Sequence, residues 1–328
     1  MKNFKLSERA RQTALMTATG LFDGDRGGGR FFGKHWPFVL ADGRKNLYAP
    51  IRSEVTDYFK ENRIAWWGGA SPTGHILSSQ MACLNHLFAL RGDREAVLAM
   101  LNGLRDEFAE VLPVPCDAEP AYIAFEVVSR ADHLNEGTPS RGANCTSIDA
   151  LVYARHRDGS LWLIPIEWKY TEAYPTGDKS TEDRPGEPKG SGGKGQERLA
   201  RYTGLIDGSE QLTSLDTYKG SVYYQEPFYQ LMRQTLWAEA VIRHRDEELL
   251  KADHYLHVHV VPRANHDLLD RIYKVSGRTM EDTWRARLRF PERYVVVDPE
   301  DLLRPVGEAY SRLCDYLRVR YWEREEGL

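Results

Sequence analysis

Cysteine is scarce in this chain: four residues among 328, at Cys83, Cys116, Cys145 and Cys314, with no Cys-x-x-Cys pair. Thiols scattered in this way fit a reducing compartment and buried side chains, and they exclude a disulfide framework or a zinc cage. No apolar run approaches the roughly 18 residues of a membrane-spanning helix, which removes that class. The Met1-Lys2-Asn3-Phe4-Lys5 start leads into a polar segment instead of an apolar core, the pattern of a chain without a secretory signal. Neither sign of charge dominates. With 44 Lys+Arg against 48 Asp+Glu the net charge is −4, which excludes a histone-like polycation but not an enzyme whose cleft alone is positive. There is no internal repeat. What the chain does have is 41% apolar residues, enough for a sizeable core. The expectation is a soluble, cytoplasmic, globular protein.

Residues 7–17 read as a short helix, followed by a Gly- and Arg-rich loop over 22–34 that runs into Trp36-Pro37. Apolar spacing predicts a helix over 51–61. Ser71-Pro72-Thr73-Gly74 opens another that reaches Leu90, and a third covers 93–112 before Pro113-Val114-Pro115 stops it. The period then changes. Strands are predicted over 121–128, 147–155 and 161–170, then a long flexible loop over 175–195, a helix from Pro227 to Arg243, and strands over 255–261 and 294–297 before a C-terminal helix. The order helix, three strands, helix, strand predicts an α/β fold with a mixed central sheet flanked by helices and helical extensions at both ends. The expected organisation is an arm over 1–46, a core over 47–262 and a C-terminal strand and helix over 263–328 that pack on it.

The segment from Thr146 to Tyr170 carries most of the chemistry. Its two apolar runs flank Arg157-Asp158-Gly159, which suits a three-residue hairpin loop with Gly in the left-handed position. Counting outward from a His156–Ser160 pair sets Asp149 opposite Glu167, with Lys169 on the face of Glu167. A two-residue Asp-Gly loop would shift the register by one and send Asp149 to the other face. Two carboxylates on neighbouring strands suit a hard divalent cation, and an ammonium beside them can steady charge that develops during hydrolysis of a phosphodiester. Apolar residues on both faces of the two strands argue against a solvated ion pair.

In Thr146-Ser-Ile-Asp149 and Ile166-Glu-Trp-Lys-Tyr-Thr-Glu172 the sequence resembles the PD-(D/E)XK nuclease superfamily, in an uncharacterised bacterial restriction-endonuclease-like branch. The likeness extends less specifically to Ser78-Ser-Gln80 and to Phe228-Tyr-Gln-Leu-Met-Arg-Gln234, and spans residues 47–261. It implies a restriction-endonuclease-like core and Mg²⁺, with Mn²⁺ as substitute, held by Asp149, Glu167 and the Trp168 carbonyl. It also implies that Lys169 serves catalysis and that the enzyme hydrolyses phosphodiesters, in DNA, leaving a 5′-phosphate. The helix before the first strand lacks the acid found in many members, so Glu126, alone in Ile123-Ala-Phe-Glu-Val-Val128, is the candidate to supply it; an ion pair with a nearby Arg or Lys is the other reading.

Further candidates are Gln230, with Arg233, Gln234 and Trp237 on one helical stripe, and Ser79 and Gln80. Glu136, in the polar loop before Asp149, reads as an acid that approaches the site or as a solvated loop acid, the latter preferred, and Pro165 as a bulge or an unpaired strand position. His257-Val258-His259 reads as strand histidines under a helix, not as zinc ligands. Arg26, Arg30, Phe31, Phe32 and Lys34 read as a mobile basic and aromatic arm able to touch a nucleic-acid backbone, or as a plain surface loop. Nucleic acid is the expected partner, and a homodimer or partner subunit is compatible with the sequence. The rival reading is an inactive nucleic-acid-binding or assembly subunit, or a nuclease directed at RNA.

Overall fold

The computed structural model describes residues 3–174 and 177–323. Its centre is a seven-stranded mixed sheet. Helices α1 (Phe4–Ala18), α2 (Arg52–Glu61), α3 (Ser79–Leu87) and α4 (Arg94–Leu104) come first, with a small hairpin of β1 (Arg30–Phe31) and β2 (Lys34–His35) after α1. Strands β3 (Phe108–Leu112), β4 (Ile123–Val127), β5 (Ile148–His156) and β6 (Leu161–Trp168) follow, then helices α5 (Gly193–Asp207) and α6 (Phe228–Arg243). The chain ends with β7 (His254–Tyr255), β8 (His257–Val260), α7 (His266–Leu269), α8 (Met280–Arg285), β9 (Tyr294–Val297), α9 (Pro299–Leu303) and α10 (Ser311–Leu317). No helix among the described residues is long and apolar enough to cross a membrane.

β3 and β4 share one edge of β5, antiparallel to it, and β5 pairs antiparallel with β6. β7 and β8 share the far edge of β6 in parallel, and β9 runs parallel to β8. Each face of this sheet buries its own core. Ala150, Val152, Ile164, Ile166 and Val258 pack with α2, α3, α4 and α9. Leu151, Tyr153 and Leu163 pack with α5, α6 and α8. The mixed α/β architecture expected from the sequence is the one observed.

Several local expectations are corrected. The predicted helix over 93–112 is a helix and a strand: α4 stops at Leu104 because Asn102 turns its amide onto the backbone of Phe108, donating to its carbonyl and accepting from its N–H, both at 3.0 Å. The helix predicted from Ser71 begins at Ser79, where the Ser78 hydroxyl accepts from the Met81 N–H at 3.3 Å. α5 was not expected. Of the loop predicted over 175–195, Pro175 and Thr176 lie outside the described residues, and α5 begins at Gly193. The Asp183 carboxylate ties 177–192 together by accepting from Gly190 and Gly192 N–H at 2.8 and 2.7 Å. Its cations are matched by acids: Glu182 takes Lys194 at 3.1 Å and Arg198 at 2.6 Å. A β-carbon on Gly195 would lie 2.1 Å from the Ser180 carbonyl oxygen, so only glycine allows this approach.

The N-terminal helix expected over 7–17 is α1, and it is docked on the core. Its buried stripe is Phe4, Glu8, Gln12 and Met16. The polar members are satisfied by distant groups: Gln12 donates to the Tyr170 hydroxyl at 2.9 Å, and Tyr170 and Arg11 both bond Glu8. Buried polar groups bonded in this way specify one docking position for the helix.

Candidate active site

The β5–β6 hairpin turns through three residues. His156 N–H donates to the Ser160 carbonyl at 2.9 Å, and Gly159 sits at φ +93°. From there the register runs without a slip through Arg155–Leu161 to Ala150–Ile166. Pro165 pairs with Leu151 in this ladder, so it marks no bulge against β5. Because His156–Ser160 is a hydrogen-bonded pair, alternation turns the Pro165 nitrogen away from β5, toward the break between β7 and β8. The missing donor costs the hairpin nothing there.

The ladder ends one pair short of Asp149 and Glu167. At that point both β4 and β5 change the face they present. Phe125 and Ala150 belong to the α3-side core, whereas Val127 and Ile148 belong to the α6-side core. The change is made at Glu126, whose φ is +51° in the middle of β4. A left-handed glutamate is costly, about 1–3 kcal/mol, and needs surroundings that enforce it. Arg141 provides them, donating to the carbonyls of Phe125 and Glu126, while the Tyr58 hydroxyl accepts from the Phe125 N–H at 2.9 Å. The Arg141 guanidinium thus grips the backbone and Asp117, feeling the Glu126 carboxylate only at a distance, and Glu126 forms no salt bridge with an Arg or Lys among the described residues. Its oxygens accept instead from Gln80 at 2.7 Å and from Ser147 at 2.9 Å.

This switch turns Asp149 toward the end of β6, where its carboxylate accepts from the Trp168 N–H at 2.7 Å. A strand residue points its N–H and C=O to the same side, so the Trp168 carbonyl faces the same place. Glu167 and Lys169 are buried, with 3% and 5% exposure, and form an ion pair. Lys169 also donates to Gln230 at 2.6 Å, and Gln230 donates to Glu226 at 2.9 Å and Tyr174 at 3.1 Å. Gln234 donates to the other Glu167 oxygen and is itself fixed by His257 at 2.8 Å. Asp149, Glu167, Lys169, Glu126, Gln230 and Ser79 all line one open cleft of about 410 Å³, together with Arg233 and Glu172.

Charge in this cleft is frustrated. Burial, then the neighbouring Glu167 and Glu126, hold the Asp149 carboxyl well above the usual range. Burial also raises Glu126, with Glu167 adding to it against the hydrogen bonds of Gln80 and Ser147. Burial would lower the Lys169 ammonium, yet Glu167 and the other anionic partners hold it well above its usual value. Within the cluster of Asp149, Glu126, Glu167 and Lys169, three carboxylates stand against one ammonium, an excess of negative charge that a cation would relieve. Among the described residues no three His, Cys, Asp or Glu side chains form a ready-made metal cage. The donor set still fits a Mg²⁺-like ion, which takes one or two carboxylates and keeps several waters.

Other candidates are resolved by their contacts. Glu136 is no solvated acid: its side chain is buried, 4% exposed, and accepts from Arg233 at 2.8 Å, Tyr202 at 2.5 Å and the Thr146 hydroxyl at 2.8 Å. It therefore latches the loop before β5 to α5 and α6. Glu136→Ala is expected to lower unfolding free energy by about 2 kcal/mol in urea titrations, less than a fully buried pair because Arg233 keeps some solvent; unchanged stability would refute the latch. Trp237 is core, 1% exposed. His257 and His259 are buried, their pKa values lowered by desolvation, His257 to about 4. They bond Gln234 and Tyr294, as expected of strand histidines. The residues not foreseen are Glu226, Tyr174, Ser147 and Arg141. Glu226 alone had a signal, standing four residues before Gln230 on the same helical approach.

The architecture is a restriction-endonuclease-like mixed α/β fold. The chain belongs to the family described as "Restriction Endonuclease associating with ARP", whose model matches residues 8–322. No curated protein and no solved structure matches it.

Proposed function

We propose that this chain is a PD-(D/E)XK endonuclease that hydrolyses phosphodiester bonds in DNA with Mg²⁺, Mn²⁺ serving as substitute. The observation that carries the reading is the meeting of Asp149, Glu167 and Lys169 in one open, anion-rich cleft. Asp149, Glu167 and the Trp168 carbonyl are the proposed ligands, with Glu126 as the third carboxylate. A divalent ion held there supplies Lewis-acid polarisation of the phosphodiester and a water of lowered pKa.

The chain's own residues do the rest. The Lys169 ammonium donates to the oxygen that gains charge as the phosphodiester is attacked. Gln230 holds that ammonium in place, and Gln234, braced by His257, fixes the Glu167 carboxylate. The family's description supports a further proposal, that the protein works beside a partner designated ARP. An RNA substrate is the competing outcome. The test is product chemistry: duplex DNA incubated with protein and Mg²⁺ should yield 5′-phosphate ends. Intact DNA with cleaved RNA, or 3′-phosphate ends, would contradict the proposal.

A further inference from the structure

One rim of the cleft carries a surface that the hydrolytic residues do not use. The arm expected to be a loop is the β1–β2 hairpin, closed by Phe32 at φ +46° and Gly33 at φ +77°. Left-handed angles at both turn positions are the province of Asn, Asp and Gly. A phenylalanine there is strained, and this one is 76% exposed. Neither the turn nor the core needs that ring.

Phe32 is not isolated. Its ring lies 4.4 Å from Phe31, which lies 4.9 Å from both Trp67 and His75. Trp67 is 44% exposed. Arg30 and Lys34 flank Phe31 and Phe32 in the hairpin and stand exposed, without acidic partners among the described residues. The field is positive on the inner side too, where Lys5 and Arg9 add to burial in lowering the His75 pKa to about 4. The patch is linked to the cleft through Gln80, which accepts from the Trp67 N–H at 3.0 Å and donates to Glu126 at 2.7 Å.

We propose that this rim binds unpaired nucleotides of a DNA strand, with bases stacked on Phe32 and Trp67 and phosphates met by Arg30 and Lys34. The chemistry is that of single-strand binding, in which aromatic faces take bases and cations follow the backbone. An intact duplex hides its base faces, so these exposed rings favour DNA that is single-stranded or locally open beside the cleft. A protein partner would bring its own acids to Arg30 and Lys34; the direct path to Glu126 favours the substrate. The inference rests on the nuclease reading above and names the form of DNA it acts on.

The experiment is anisotropy of labelled single-stranded DNA, duplex and RNA of one sequence, in EDTA so that nothing is cut. The full-length protein should bind single-stranded DNA about tenfold more tightly than duplex. Phe32→Ala with Trp67→Ala should lose about tenfold or more on the single strand, the scale of stacked bases, and little on duplex. Phe32→Asn, which suits the turn, should hold the melting temperature and still weaken binding. Equal affinity in wild type and variants, or tighter binding of RNA than DNA, would overturn the proposal. Aromatic-dependent binding by a protein that cuts nothing would refute the nuclease and leave the rim intact. Cleavage with binding untouched by the substitutions would do the reverse.

Discussion

Lys169→Ala is expected to slow single-turnover DNA cleavage by about 10²–10³-fold, the loss that follows removal of one preorganised donor to developing charge. The ammonium is buried and held charged by its carboxylate neighbours, so water cannot replace it at the same position. The substitution also leaves Glu167 with its Gln234 bond and no counter-ion. A stability loss of about 3 kcal/mol is expected from breaking so buried a pair. Rates must therefore be compared well below the melting temperature of the variant. Lys169→Arg is not expected to rescue the rate, because a planar guanidinium cannot occupy the site of a compact ammonium between Glu167 and Gln230. Cleavage by Lys169→Ala at the wild-type rate would remove Lys169 from the chemistry.

Asp149→Asn is expected to act in two opposite directions. The Asp149 carboxyl is held above its ordinary range by burial and then by Glu167 and Glu126. A carboxyl whose folded pKa is raised binds its proton more tightly in the folded chain. Its contribution to stability is therefore present at low pH and is lost as pH rises from the unfolded pKa through the folded one. Near neutral pH without metal, the wild type carries this cost and Asp149→Asn does not, while the amide oxygen still accepts from Trp168. The variant should melt about 2–5 °C higher in EDTA, the shift that one or two kcal/mol gives a chain of this size. With Mg²⁺ the order should reverse. The wild type gains about 2.7 kcal/mol at a hundredfold excess over the dissociation constant, and the variant gains little. Wild-type metal affinity should rise with pH, because binding displaces the protons that the raised Asp149 and Glu126 carboxyls hold. A variant that melts lower in EDTA, or that is stabilised by Mg²⁺ as strongly as wild type, would contradict this assignment.

The part of the site written within one hairpin was legible in the sequence. Turn chemistry at Arg157-Asp158-Gly159 and a period of two bring Glu167 and Lys169 to the end of the hairpin that Asp149 also reaches, but the final direction of Asp149 comes from the change of face centred on Glu126. Glu126 was legible as a lone acid in an apolar strand, but its left-handed backbone was not, because Tyr58 and Arg141 impose it from other elements. Glu136 looked like loop charge because its partners Tyr202 and Arg233 lie far along the chain. β3 was absorbed into a helix because Phe108-Ala-Glu-Val-Leu112 continues the apolar spacing of α4, and the Asn102 amide that breaks the helix is an ordinary residue until its contacts are seen. α5 was hidden by its Gly-rich start, where close approach to Ser180 required glycine for reasons unrelated to flexibility. Local patterning thus wrote the β5–β6 hairpin, and long-range hydrogen bonds wrote the frame that aims its acids.

Asp149, Glu167 and Lys169 are proposed to form one metal-dependent hydrolytic centre. Its most direct test is conversion of supercoiled plasmid by wild type and Lys169→Ala, each with Mg²⁺ and with EDTA. Nicked or linear plasmid is expected from the wild type with Mg²⁺, and supercoiled plasmid in the other three reactions over the same time. Conversion that survives EDTA or the loss of Lys169, or a wild type that binds Mg²⁺ and DNA and cuts neither strand, would contradict it.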